Sequence, residues 1–137
     1  MEASGFEVSF YAFGPGRTSL VARIGGNESR PPLCFTGHID TVPLGYKDWT
    51  VDPFAAEIVD DKMFGRGTSD MKSGVAAFVA AVTDIAPTLA KGAGVVLVIT
   101  AGEETGCEGA FHLAGLESVL GAAGAIVLAE PTSNYPM

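Results

Sequence analysis

The chain has 137 residues, 47% of them hydrophobic, so it can bury a core the size of about one domain. Its net charge of −8, with 8 basic residues against 16 acids and no basic cluster, excludes a surface that tracks nucleic-acid phosphates. The longest purely apolar run, residues 75–82, is far short of the ~20 needed to span a bilayer, and no charged-then-apolar leader opens the chain, so the expectation is a cytoplasmic protein with no membrane partner.

Taken in order, the chain alternates strand and helix patterns. Residues 19–24 (SLVARI) and 33–36 read as strands, joined by a Gly-Asn-rich GGNES that suits a hairpin or tight loop. Residues 56–59 and 62–64 flank an Asp-Asp turn, the pattern of a short surface hairpin. From Ser73 to about Ala90 the spacing predicts a helix, apolar almost all round and therefore buried on a sheet, with Pro87 ending or kinking it. Residues 95–100 (VVLVIT) form the continuous β-branched run of a strand covered on both faces. A second helix is expected over 108–120, weakened at Gly115, and a further buried strand over 125–129. The fold class is α/β: a twisted, largely parallel sheet flanked by helices.

Acids and a histidine stand where the apolar runs end. His38 and Asp40 follow LCFTG, Asp70 follows MFGRGTS, Glu103 and Glu104 follow VVLVITAG, and Glu130 follows AIVLA. Parallel strands end on one edge of their sheet, where ligands of open α/β folds bind, so these groups converge there. Carboxylates gathered around an imidazole repel one another unless cations lie between them, which makes this a metal site with room for two ions.

His38 and Asp40 at i and i+2 of an extended chain point the same way, roughly 6.6 Å apart, so the Asp can reach the ring. A carboxylate in that place fixes the tautomer of a metal-bound imidazole. Glu103 and Glu104 are consecutive and diverge, one toward metal and the other toward substrate protons. Asp70 enters from a glycine-rich loop that lets the backbone approach closely. Taken singly, Asp40 reads as a turn residue and Asp70 as a helix cap; their joint occurrence at successive strand ends reverses that preference. His112, within a helix, reads as a surface or packing residue. Cys34 reads as a small buried hydrophobe, and Cys107 as a small residue beginning a helix rather than a soft ligand or redox-sensitive thiol.

GHIDTVP (37–43), GRGTSDMKSGVAAF (65–78), AGEETG (101–106) and AEPT (129–132), with WTVDPF (49–54) between them, resemble the successive motifs of a zinc-dependent deacylase and exopeptidase family. That family includes acetylornithine deacetylase, succinyl-diaminopimelate desuccinylase, aminoacylase and carboxypeptidase G. The EPT leans toward the deacetylase and desuccinylase branch. The resemblance implies a di-zinc aminopeptidase-like catalytic domain and hydrolysis of the amide bond of an N-acyl amino acid or small peptide by metal-activated water. It implies Asp70 bridging two zinc ions, His38 and Glu130 completing one site, Glu104 joining the other, Asp40 clamping the ring of His38, and Glu103 as general base. It also implies a cis peptide between Asp70 and Met71. Cobalt or manganese would also suit such donors.

The family's second metal site takes a histidine from much further along than Met137. The expectation is therefore that residues 1–137 are the N-terminal portion of one catalytic domain, without its lid or dimerisation domain and C-terminal part. Such a chain would be inactive alone, would keep His38, Asp70 and Glu130 for one ion, and would expose an apolar sheet edge. The full-length protein would be a homodimer acting on a small N-acyl amino acid or dipeptide. The alternative is a truncated, non-catalytic metal-binding or assembly module of the same fold. A phosphate-binding loop over GTSDMKS (67–73) ranks below both, because Met71 stands where that loop needs glycine before the lysine.

Overall fold

A computed structural model describes residues 1–26 and 30–132. Strands β1 (Glu7–Gly14), β2 (Arg17–Ile24), β3 (Leu33–His38), β6 (Val95–Thr100) and β7 (Ala125–Leu128) form one five-stranded sheet in the order β1-β2-β6-β3-β7. β4 (Glu57–Val59) and β5 (Lys62–Phe64) make a separate hairpin. Helices α1 (Ser73–Asp84), α2 (Ala86–Leu89) and α3 (Glu108–Ala114) complete the chain, so the α/β class expected from sequence holds. The sheet is mixed: β3 runs parallel to β6 and to β7, whereas β1, β2 and β6 pair antiparallel.

β6 organises the core because all six of its residues are buried. Val95, Leu97 and Ile99 face α1, packing with Phe6, Ala22, Met71, Val75, Phe78 and Val82. Val96 and Val98 face the other way, with Val21, Cys34 and Leu113 of α3. Alternation along one strand thus feeds two apolar layers, each fully buried side chain contributing about 1.5–3 kcal/mol. β6 is thus a strand covered on both faces, as its β-branched run predicts.

Several expectations are corrected. β2 and β3 do not form a hairpin, because β6 lies between them; residues 27–29 of the GGNES connection lie outside the described residues. β2 pairs instead with β1, across a turn in which Gly16 takes φ 68°. The helix does break near Pro87 as expected, dividing at Ile85, because the proline ring cannot continue the hydrogen-bond ladder. α1 buries only the stripe Val75, Phe78 and Val82, its alanines leaving the opposite side exposed. α3 ends at Ala114, as Gly115 favours termination over continuation to 120.

β7 is exposed rather than buried, with Ile126 67% accessible. It stands at the sheet edge beside β3 alone, and no described element covers its outer flank. The exposed apolar edge anticipated from sequence is therefore present. The Asp-Asp turn forms as expected, Asp60 and Asp61 both taking positive φ between β4 and β5. No described helix is long and apolar enough to cross a membrane.

Candidate metal centre

The three mutually parallel strands deliver the site. His38 ends β3 opposite Thr100, which ends β6, and Thr36 pairs with Leu128, which ends β7. The residues just beyond, His38, Glu103 and Glu104, and Glu130, consequently meet at one edge. Asp70 arrives from another direction, at a kink within Thr68–Lys72 where it and Met71 leave helical dihedrals, and the Asp70–Met71 peptide is cis, as the family resemblance implied.

His38 is the hub, its residue only 1% exposed. Its Nε2 lies 3.2 Å from Asp70 Oδ1, 3.3 Å from Glu130 Oε1 and 3.7 Å from Glu103 Oε2. Nδ1 lies 3.0 Å from the backbone carbonyl oxygen of Asp40 and 3.5 Å from its Oδ1. With Nδ1–H donating to that carbonyl, Nε2 presents its lone pair to the carboxylates, the tautomer a cation requires.

Asp40 has a second task that spacing did not reveal. Its carboxylate accepts the backbone N–H of Glu103 at 3.1 Å and of Glu104 at 3.0 Å. The side chain thus ties the end of β3 to the loop after β6. Partial burial would raise the pKa of Asp40, but those amide donors and the facing His38 outweigh it and hold the carboxyl below its usual range. Burial would lower that of His38, yet the charges of Glu130, Asp40 and Glu103, with the Asp40 carbonyl, raise it overall. Glu130 is raised by its own burial and by Asp70 and Glu103, with His38 opposing.

Ligand atoms of His38, Asp70 and Glu104 lie within 4.8 Å of one another, as do those of His38, Glu103 and Glu130. One imidazole nitrogen and four carboxylates of a single sign sharing this space are a donor set for hard or borderline divalent ions, and the residues fit such a group. All six residues singled out in the sequence are thus brought to one place. His112 is not among them; its ring lies against Phe13, 5.7 Å between centroids. Cys107 is the N-cap of α3, as preferred, but its Sγ–H also approaches Glu103 Oε1 at 3.6 Å. Its thiol is raised by desolvation and by Glu103.

Sequence reasoning missed Met71 and the glycines around it. Met71 is fully buried, and its Sδ accepts the backbone N–H of His38 at 3.3 Å. Gly37 makes room for it, since a Cβ there would stand 2.5 Å from Met71 Cε. The signal available was Met71 itself, one apolar residue between the charged Asp70 and Lys72.

Carboxylates gathered around a single histidine put a candidate metal site where the parallel strands of this α/β sheet end. The profile of Peptidase family M20/M25/M40 matches residues 34–135, and the chain belongs to this family. It is 39% identical to succinyl-diaminopimelate desuccinylase of Wolbachia sp. subsp. Brugia malayi (strain TRS), over 98% of this chain and 35% of that protein. It is 43% identical to the protein of the same name from Wolbachia pipientis subsp. Culex pipiens (strain wPip), over 77% of this chain and 26% of the relative. In these comparisons the chain spans about a quarter to a third of its curated relatives' length. Human carnosine dipeptidase 1 superposes with a TM-score of 0.75 at 23% identity, covering 94% of this chain and 30% of that one. An M20 family metallo-carboxypeptidase from Sulfolobus solfataricus gives 0.72 at 22% identity, covering 93% and 30%. At those identities the structural matches establish the fold.

Proposed function

We propose that residues 1–137 are the N-terminal portion of the catalytic domain of a metal-dependent hydrolase that cleaves the amide bond of an N-acyl amino acid or small peptide. The succinyl-diaminopimelate desuccinylase and acetylornithine deacetylase type is the favoured substrate class. The observation that carries this reading is the convergence of Asp70, Glu103 and Glu130 within 3.7 Å of His38 Nε2. His38, Asp70 and Glu130 would hold one divalent ion and Glu104, with Asp70, a second, zinc being favoured over cobalt or manganese. Bound there, such ions supply an acidified water and a polarised carbonyl.

The chain's own groups then have distinct tasks. Glu103 takes the proton of the attacking water on its carboxylate and returns it to the leaving amine. Asp40 keeps that carboxylate in place through the Glu103 and Glu104 amides and orients the His38 ring through its carbonyl. Burial of His38, only 1% exposed, keeps bulk water from the ring, while Met71 holds its backbone N–H. The complete protein is proposed to be cytoplasmic and homodimeric, with a small N-acyl amino acid or dipeptide as its partner and no nucleic acid or membrane.

Native mass spectrometry of the zinc-loaded chain, with Glu103→Ala and His38→Ala beside it, tests the reading. Zinc bound by the parent chain and by Glu103→Ala, and lost in His38→Ala, is expected; a folded parent chain that takes up no zinc refutes it. The exposed apolar strand β7 favours a second reading, a non-catalytic metal-binding or assembly module of the same fold. Bound zinc without Glu103-dependent turnover in the complete polypeptide distinguishes it.

A further inference from the structure

The loop that bears Glu103 and Glu104 is gripped from two sides. Asp40 holds its amides on the site side. On the far side stands Arg17, the first residue of β2 and 88 positions from the loop residue it touches. Arg17 Nη2 donates to Thr105 Oγ1 at 2.7 Å, and Nη1 pairs with the Glu108 carboxylate. The guanidinium also lies 5.2 Å over the Phe13 ring of β1. The Thr105 hydroxyl is in turn 2.8 Å from Glu108 Oε2 and 3.3 Å from the Gly102 carbonyl oxygen.

The guanidinium lies close over the base of the loop. Gly102 takes φ +77°, and a Cβ there would stand 2.6 Å from Arg17 Nη2. Glu108 N–H donates to the Gly102 carbonyl at 2.9 Å, closing the base of the loop. A lone exposed ion pair contributes little, and the Arg17 and Glu108 side chains are 37% and 45% exposed. Here, however, one planar fork has three partners at once, and two of them belong to the segment that aims the site acids.

We propose that Arg17 is a positioning residue: a strut from the β1–β2 hairpin that, through Thr105 and Glu108, fixes the backbone of Glu103 and Glu104 so that both carboxylates face His38. None of its partners is a candidate ligand, so its influence on the site runs through the loop. The proposal rests on the metal-centre reading given above and adds to it a residue outside the matched family segment, which begins at residue 34.

Cobalt(II) titration tests it, because visible absorbance reports the geometry of the bound ion as well as the affinity. In Arg17→Ala the expected result is binding about tenfold weaker with an altered cobalt spectrum, the size typical when support behind a ligand is removed. Arg17→Lys retains a charge for Glu108 but not the fork to Thr105, and should fall between Arg17→Ala and the parent in both readouts. Should Arg17→Ala fail to fold by circular dichroism, Arg17→Lys and Thr105→Val carry the test by the same criteria. Affinity and spectrum equal to the parent's in these variants overturn the proposal. So does weaker binding with an unchanged spectrum, which marks general loosening instead. A parent chain that binds no cobalt refutes the metal reading itself and the strut with it.

Discussion

Replacing Gly74 with alanine isolates the contact that places Glu130. A Cβ on Gly74, in the first turn of α1, would stand 2.5 Å from Ala129 Cβ and 2.7 Å from the Ala129 carbonyl oxygen. Carbon atoms rest at about 3.5–4.0 Å, so one element must retreat by roughly 1 Å. α1 is anchored by Val75, Phe78 and Val82 in the core, whereas β7 is a four-residue edge strand that, among the described residues, pairs only with β3. The movement therefore falls on β7 and carries Glu130, the next residue, away from His38 Nε2, now 3.3 Å distant. Overpacking costs about 1–3 kcal/mol, offset by the roughly 0.5–1 kcal/mol that alanine gains over glycine in a helix. Net destabilisation is thus modest, about 0–2.5 kcal/mol, while displacement of a ligand by this distance should weaken zinc binding by about 10-fold or more. Urea denaturation of the metal-free chain and zinc calorimetry measure the two quantities separately. Zinc affinity within twofold of the parent's would refute the reasoning, as would a large stability loss with affinity intact.

Leu97→Ala, at the fully buried centre of β6, should cost about 2–5 kcal/mol in urea denaturation, since no neighbour can collapse into a strand flanked on both sides. Asp40 has a depressed pKa, so its contribution to metal-free stability is complete above the unfolded value near 3.9 and disappears as pH falls through the lower folded value. Asp40→Asn should therefore flatten the acid limb of the stability curve, and an unchanged limb would show that the Glu103 and Glu104 amides do not stabilise the carboxylate. Of the two thiols, Cys34 is buried and raised by desolvation and should be alkylated only when the chain unfolds. Cys107 should react in the folded state, more slowly than free cysteine because desolvation and Glu103 raise it; equal protection of both, read by mass spectrometry, would contradict this.

Much of the site could be read directly from the chain, because its logic is local. An apolar run that ends in an acid or histidine specifies both a strand and what hangs from its end, and His38, Glu103, Glu104 and Glu130 obey that rule, whereas Asp70 stands in a turn beyond the separate β4–β5 hairpin and reaches them from another side. The β6 run fixed its own burial, since six β-branched or apolar residues in succession have no polar face to turn to water. Tertiary structure decided what depends on neighbours distant in sequence. β6 separates β2 from β3, and β7 lies exposed at an edge although its residues are as apolar as a buried strand's. The same holds for the finer placement of the site. Asp40 stands two residues from His38, yet its carboxylate is occupied by amides 63 and 64 positions away, and Arg17 braces a loop 88 positions on. Periodicity records which face a side chain takes within its own element; only the packed sheet determines which hydrogen-bond partner waits there.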